Sequence, residues 1–165
     1  MFRTINDFLD AWKYESEATL KVFKNLTDDS LNQKVTPDGR SLGFIAWHIT
    51  DTIPEMLSKT GLPFYHDENT PVPTSVEIIK DIYRTSSKSV TELIYKNWID
   101  EMLSDDLNMY GQIWKRASVL SSLIAHQAHH RGQMTVLMRQ AGLKVPGIYG
   151  PAKEEWAEYG MPTQD

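Results

Sequence analysis

The stretch that decides the fold is WKRASVLSSLIAHQAHHRGQMTVLMRQA, residues 114–141. Apolar side chains and two histidines recur in it at steps of three, four and seven residues: Val119, Leu123, His126, His130 and Leu137. Residues at these steps share one face of an α-helix, and an apolar face of this length is buried against other helices. Gly142 follows and can supply the left-handed residue that ends many helices. The stretch predicts one long helix from about Trp114 to Ala141.

Three further helices are predicted upstream from the same periodicity. The first spans about residues 5–25 and opens with a capping box, in which Thr4 precedes Asp7 by three positions. The second begins near Ser41, and Pro54 inside it is expected to kink or end it because proline lacks the backbone donor. The third opens with a second capping box at Thr74–Glu77.

The segment between the third and fourth helices is mixed. Residues 98–111 are expected to hold a helix end, an acidic turn at Asp105-Asp106 and a short extended piece. Alternating strand patterns are otherwise scarce, so the chain is predicted to be all-α, a four-helix bundle. Roughly 15 residues join the first helix to the second, and about as many join the second to the third. Such links exceed what an up-down bundle needs, and at least one is expected to be a long crossover.

Length and composition bound the function. A chain of 165 residues suits one domain, taken here as residues 1–165. Cysteine is absent, which excludes disulfides, thiolate nucleophiles, iron–sulfur clusters and sulfur-ligated zinc, so any metal needs histidine or oxygen ligands. The net charge is −5 and no long Lys/Arg run occurs, which argues against a nucleic-acid partner. Neither a signal peptide nor a membrane-spanning apolar run is recognisable, so we expect a cytoplasmic protein without a membrane partner.

Three of the five histidines cluster in the predicted fourth helix. His126 and His130 are four residues apart and project together, as two imidazoles must to chelate one ion. His129 could replace His130 on spacing alone, but the apolar stripe places His126 and His130 on the inward face and turns His129 aside. Two interpretations stay open from the residues: a metal-chelating pair, or histidines that bind no metal and lie either on the helix surface or in the core with hydrogen-bond partners. The motif is not His-Glu-x-x-His, since Gln127 and Ala128 follow His126.

A third ligand must come from elsewhere in the chain. His48 lies in the apolar stretch FIAWHI of the second helix, where a lone polar ring needs a partner. His66 lies in the polar loop segment YHDEN and is interpreted as a solvated residue. We therefore favour His48 as the third ligand.

These motifs carry a family resemblance. AWHI at residues 46–49, HQAHHRGQ at residues 126–133 and the close of the chain from Gly142 to Pro151 together resemble the DinB/YfiT-like metalloenzyme superfamily. The resemblance implies a four-helix bundle with a long crossover, commonly a homodimer. It also implies a divalent metal, often nickel or zinc, bound by three histidines that by motif position are His48, His126 and His130. Iron and manganese also accept imidazole ligands, so the sequence does not choose the metal.

Three imidazoles leave coordination positions open and leave the +2 charge uncompensated, which suits a thiolate or carboxylate substrate. The resembled superfamily includes maleylpyruvate isomerases that use a low-molecular-weight thiol and S-transferases that use bacillithiol. A metal-dependent thiol S-transferase acting on small molecules is thus our leading hypothesis, with the thiol arriving as a cosubstrate. The alternatives are a metal-dependent hydrolase, a non-enzymatic metal-binding stress-response module, and a purely structural bundle without metal.

Catalytic acid–base residues are not identified, and the remaining candidates each have a plain structural interpretation. Asp51 either orients a ligand or is an exposed helix carboxylate, and Tyr149 either covers the site or packs. His129 and Arg131 either contact an anion or form a solvated helix face. Four tryptophans are interpreted as core or dimer anchors: Trp12, Trp47, Trp98 and Trp114.

Overall fold

A computed structural model describes residues 2–162 of the chain and shows a mostly helical fold, as predicted. Four long helices carry it: α1 (Ile5–Phe23), α2 (Leu42–Ser58), α3 (Val76–Asn97) and α4 (Arg116–Gln140). Short 3-10 helices occur at Asp29–Asn32, Asp100–Ser104 and Lys153–Tyr159. The predicted domain of residues 1–165 includes Met1 and residues 163–165, which lie outside the described residues.

The helix starts show one capping prediction confirmed and one wrong. At α1, Thr4 Oγ1 accepts the Asp7 N–H at 3.0 Å and Asp7 Oδ2 accepts the Thr4 N–H at 3.0 Å, which is the predicted capping box. At α3 no side chain of the predicted box caps the helix. Instead Asp28, from the α1–α2 connection, accepts the Val76 N–H at 2.7 Å. A carboxylate is the stronger acceptor at the positive end of a helix, so the distant residue replaces the local one.

Proline and glycine have different effects on the helix ends. The sequence predicts that Pro54 either kinks or ends the second helix. Helix α2 continues to Ser58, so Pro54 does not end it. Gly142 has φ +71°, as predicted for a left-handed residue after α4. Its N–H donates to the Arg139 carbonyl at 3.1 Å, and the Leu143 N–H donates to the Met138 carbonyl at 2.9 Å. These two bonds form a Schellman motif.

The predicted extended piece is a small antiparallel hairpin. Strand β1 (Asp106–Met109) pairs with β2 (Gln112–Lys115), with Asp106 opposite Lys115. Tyr110 and Gly111 join them with φ values of +54° and +78°, the conformation of a two-residue hairpin turn. Helix α4 therefore begins at Arg116, two residues later than predicted, because Trp114 and Lys115 belong to β2.

The packing of the helices reveals the crossover. Helix α2 packs against α3 and α4, and α1 packs against the same two helices. Helices α1 and α2 therefore lie diagonally opposite each other, and the connection between them crosses the end of the bundle. The long link between α2 and α3 joins neighbours. Within residues 2–162 no helix is both long and apolar enough to pass through a bilayer.

The bundle core is apolar and draws on all four helices. Phe8, Ile49, Tyr83 and Leu120 represent α1 to α4 in it, each fully buried. Three of the four tryptophans are buried as well, as expected for core anchors: Trp12, Trp47 and Trp98.

The two glycines of the α4 region should respond oppositely to alanine. Gly142→Ala places a Cβ on a left-handed residue and should lower the free energy of unfolding by about 1 kcal/mol. Gly132 lies inside α4, where an added Cβ meets no atom within 4 Å. Gly132→Ala should therefore raise the free energy of unfolding by about 0.5–1 kcal/mol. Urea unfolding followed by circular dichroism measures both changes. Equal effects of the two substitutions would contradict the Schellman assignment.

Candidate metal centre

The centre lies between the neighbouring helices α2 and α4. His48 projects from the middle of α2, while His126 and His130 project from successive turns of α4. One ligand nitrogen from each of the three rings lies within 4.8 Å of the other two. His130 is buried at 6% exposure, and the other two rings are half-buried. These three residues form a group that can hold a metal ion.

The ring nitrogens face one another closely. Nε2 of His48 and Nε2 of His126 are 3.0 Å apart. The ring centroids lie 4.4 Å apart for His126 and His130, and 4.7 Å apart for His48 and His130. Each ring is nearly edge-on to its neighbours.

Burial keeps these imidazoles in the neutral form that metals bind. Loss of hydration lowers the pKa of all three, and the positive charges that His neighbours would carry lower it further for His48 and His126. The pKa of His126 falls from 6.5 to about 4. All three rings are therefore neutral at pH 7.

Gln133 fixes the orientation of one ring. Its Oε1 lies 2.7 Å from Nδ1 of His130, so Nδ1 carries the proton and Nε2 keeps its lone pair for the centre. The Gln133 Nε2 lies 3.1 Å from Nε2 of His129, which is exposed. His129 thus lies outside the group of three and bonds to the glutamine that orients His130.

Asp51 and His66 form a pair beside the centre. Nε2 of His66 lies 3.1 Å from Oδ2 of Asp51, and the His66 side chain is only 17% exposed. The interpretation of His66 as a solvated loop residue is therefore wrong, because the loop folds back against α2. Asp51 lies one turn beyond His48, and its hydrogen-bond partner is His66.

A buried amide anchors α4 next to the centre. Gln127 Oε1 accepts hydrogen bonds from Tyr83 Oη at 2.9 Å and from Thr19 Oγ1 at 3.1 Å. Its Nε2 donates to the Ile49 carbonyl at 3.0 Å. The amide thereby bonds to α3, α1 and α2 at once.

Arg131 is neither an anion ligand nor part of a solvated face, so both sequence interpretations are wrong for it. It is 1% exposed, and its guanidinium forms an ion pair with Glu15 of α1. The Nη1 group also donates to Thr19 Oγ1 at 2.9 Å. Tyr149 completes the cluster by donating its hydroxyl to a Glu15 oxygen at 2.8 Å, although its side chain is mostly exposed.

Comparison with known proteins agrees with this geometry. The sequence matches the DinB family over residues 1–164. The chain belongs to the DinB family. The suspected resemblance is thereby confirmed, and this DinB-family chain carries three histidines that can hold a metal ion.

Relatives of this DinB-family chain support the fold. The uncharacterized protein YrdA of Bacillus subtilis strain 168 is 49% identical over 162 residues, which is 98% of this chain and 97% of YrdA. A crystal structure of a DinB-like protein from Bacillus cereus ATCC 10987 is 47% identical, with a TM-score of 0.86 over 90% of this chain and all of the other. The DinB-like protein YjoA of Bacillus subtilis is 15% identical, with a TM-score of 0.70 over 88% of this chain and 99% of the other, and shares the fold.

Two residues of this DinB-family chain escaped the sequence reasoning. No role is predicted for Gln133 from the sequence, although a glutamine three residues after a histidine can reach the histidine ring. Gln127 was noted only for not being a glutamate. Its seven-residue spacing from Leu120 and Met134, both buried, could have marked it as a core position.

Replacing Gln127 by leucine should destabilise the fold without removing a histidine. Leucine fills a similar volume but forms no side-chain hydrogen bonds. The Tyr83 hydroxyl, the Thr19 hydroxyl and the Ile49 carbonyl therefore each lose one hydrogen-bond partner. We expect the free energy of unfolding to fall by about 2–3 kcal/mol in urea titrations. Gln140→Leu, the same change at an exposed position of α4, should shift it by less than about 0.5 kcal/mol. A Gln127→Leu protein as stable as the parent would contradict the anchoring role.

Proposed function

We propose that the chain binds one divalent metal ion through His48, His126 and His130. The observation that carries this proposal is the 3.0 Å approach of the His48 and His126 Nε2 atoms, with a nitrogen of neutral His130 within 4.8 Å. An ion with metal–nitrogen bonds of about 2.0–2.1 Å spans nitrogens about 3.3 Å apart, so small shifts admit it.

The three imidazole ligands affect which metal binds and how many of its coordination positions stay open. Neutral imidazoles suit zinc and nickel best, and they also accept iron and manganese. Three protein ligands leave at least one coordination position for water or substrate, as catalytic centres do. When bound, the ion would supply positive charge that stabilises a thiolate or polarises a carbonyl group.

The reaction we favour is transfer of a low-molecular-weight thiol to a small electrophile. The transfer forms a carbon–sulfur bond while the thiol loses its proton and the electrophile loses its leaving group. The chain contains no cysteine, so the sulfur comes from a cosubstrate. What the protein contributes is a convergent set of uncharged ligands and, through Gln133, a fixed orientation for His130. By family resemblance we extend the proposal to a homodimer in the cytoplasm.

Metal-dependent hydrolysis is the second candidate, and the Asp51–His66 pair favours it. The pair lies one turn along α2 from His48 and is suited to accept a proton from water. The remaining alternatives are a non-enzymatic metal-binding stress-response module and a purely structural bundle without metal. Turnover assays separate the two enzymes from these, and metal titration separates the module from the structural bundle.

The metal proposal predicts one ion per chain with sub-micromolar affinity. Untagged protein stripped with a chelator is titrated with Zn²⁺ or Ni²⁺, and bound metal is counted by elemental analysis. His126→Gln should weaken binding by roughly 100-fold or more, since it removes a ligand, and Gln133→Ala by roughly 10-fold, since it removes only the orienting bond. His129→Gln on the same helix removes a ring that is not a ligand and that bonds only to Gln133, so it should weaken binding by no more than Gln133→Ala does.

Two results would contradict the proposal. One is the lack of stoichiometric binding at micromolar free metal. The other is an equal loss in the His126→Gln and His129→Gln proteins, which would show that the helix surface and not the group of three binds the ion.

The reaction proposal predicts metal-dependent thiol transfer. Metal-loaded protein is incubated with chlorodinitrobenzene and small thiols such as cysteine, and the thioether and released chloride are quantified. Product should form at least about 10-fold faster than with metal-free protein or with the His126→Gln variant. If no thiol yields metal-dependent product while a nitrophenyl ester is cleaved, the hydrolase alternative replaces the transferase. If neither substrate reacts, only the metal centre stands.

A further inference from the structure

A cavity of about 470 Å³ lies one helical turn from the histidines, none of which lines it. On α2 it is lined by Ile45, one turn before His48, and on α4 by Gln133, one turn after His130. One helical turn is about 5 Å along the axis, so the cavity lies a short distance along both helices from the histidines. The lining is apolar apart from Arg40 and Gln133: Val35, Ile45, Val136 and Leu137.

Arg40 brings an unbalanced positive charge to this cavity. Within residues 2–162 no carboxylate lies within 4.0 Å of its guanidinium, unlike those of Arg84, Arg116, Arg131 and Arg139, which all form ion pairs. Its guanidinium carbon lies 5.1 Å from the centre of the Phe44 ring. The side chain is thus exposed and held over an aromatic face, with its donors available.

The Phe44 ring also contacts one of the three histidines. The Phe44 ring stacks on the His48 ring with centroids 6.0 Å apart and planes inclined by 16°. Phe44 thus contacts both Arg40 and His48, and Arg40 also lines the cavity.

We propose that this cavity binds a small substrate with an apolar body and a carboxylate group, and that Arg40 is the specificity-determining residue that binds the carboxylate. The planar guanidinium offers two parallel donors that match one carboxylate. A single cation among apolar side chains suits a monoanion better than a phosphate dianion. A volume of about 470 Å³ is in the range of small-molecule sites. This inference deepens the proposed function and rests on it for the reacting end of the substrate, which would lie at the histidines.

The test compares hexanoate with hexanamide, which has the same apolar body without the charge. Each probe is titrated by NMR into metal-free and zinc-loaded protein. Hexanoate should bind in both states, and hexanamide at least 10-fold more weakly. Arg40→Ala should weaken hexanoate binding at least 10-fold and leave hexanamide binding and zinc stoichiometry within about twofold, while Arg40→Lys gives an intermediate affinity. Arg84→Ala, an exposed arginine of α3, is the matched control and should change nothing.

The outcomes separate this inference from the metal proposal. Arg40-dependent hexanoate binding in a protein that binds neither zinc, nickel, iron nor manganese supports the carboxylate pocket and refutes the proposed metal function. If hexanoate binds only to zinc-loaded protein, and with an affinity that Arg40→Ala does not change, the carboxylate binds the metal and the pocket proposal is wrong. Equal affinity for the two probes, or no binding of either, also overturns it.

Discussion

The structure depends on one buried amide. Gln127 bonds to Thr19, Tyr83 and the Ile49 carbonyl, which belong to the three other helices. A buried amide left without partners is costly, so these bonds permit only one rotation of α4 about its axis. That rotation turns the neighbouring His126 toward α2, and His130 follows one turn later. The geometry of the candidate centre is thus a consequence of how the core satisfies a polar group.

Charge is distributed unevenly around the histidines. Arg40 lies just before α2 begins, whereas Asp51 and Glu55 follow His48 by about one and two turns. Asp51 is paired with His66, and Glu55 with Lys59 and the Tyr110 hydroxyl, so the carboxylates have partners and the arginine does not. An anion would therefore meet the centre from the side of Arg40. The same polarity explains why a cavity on that side is suited to a substrate.

The sequence predicted what depends on local spacing. The Thr4–Asp7 box, the left-handed Gly142 and the His126–His130 step all follow from the geometry of a single helix. Among residues far apart in the chain, it predicted that His48 joins His126 and His130, because a lone imidazole in an apolar stretch needs a partner. It did not predict the long-range partners of other side chains. Arg131 was interpreted as a surface or anion-binding residue because its partner Glu15 is 116 positions away, and Asp28 replaces the predicted box at α3 from 48 positions away. His66 pairs with Asp51 because a loop folds back, which no periodicity reveals.

The position of α3 and the hairpin between α2 and α4 in the chain has a consequence for how the candidate centre is assembled. His48 and His126 are 78 positions apart, and both α3 and the hairpin lie between them. Bringing them together closes a long loop, whose entropic cost must be met by packing before any ligand can bridge the two helices. An ion would then bind across α2 and α4 after they have packed, and would stabilise the native state by mass action. Metal occupancy should for this reason report that α2 and α4 have packed together, and not the formation of either helix alone.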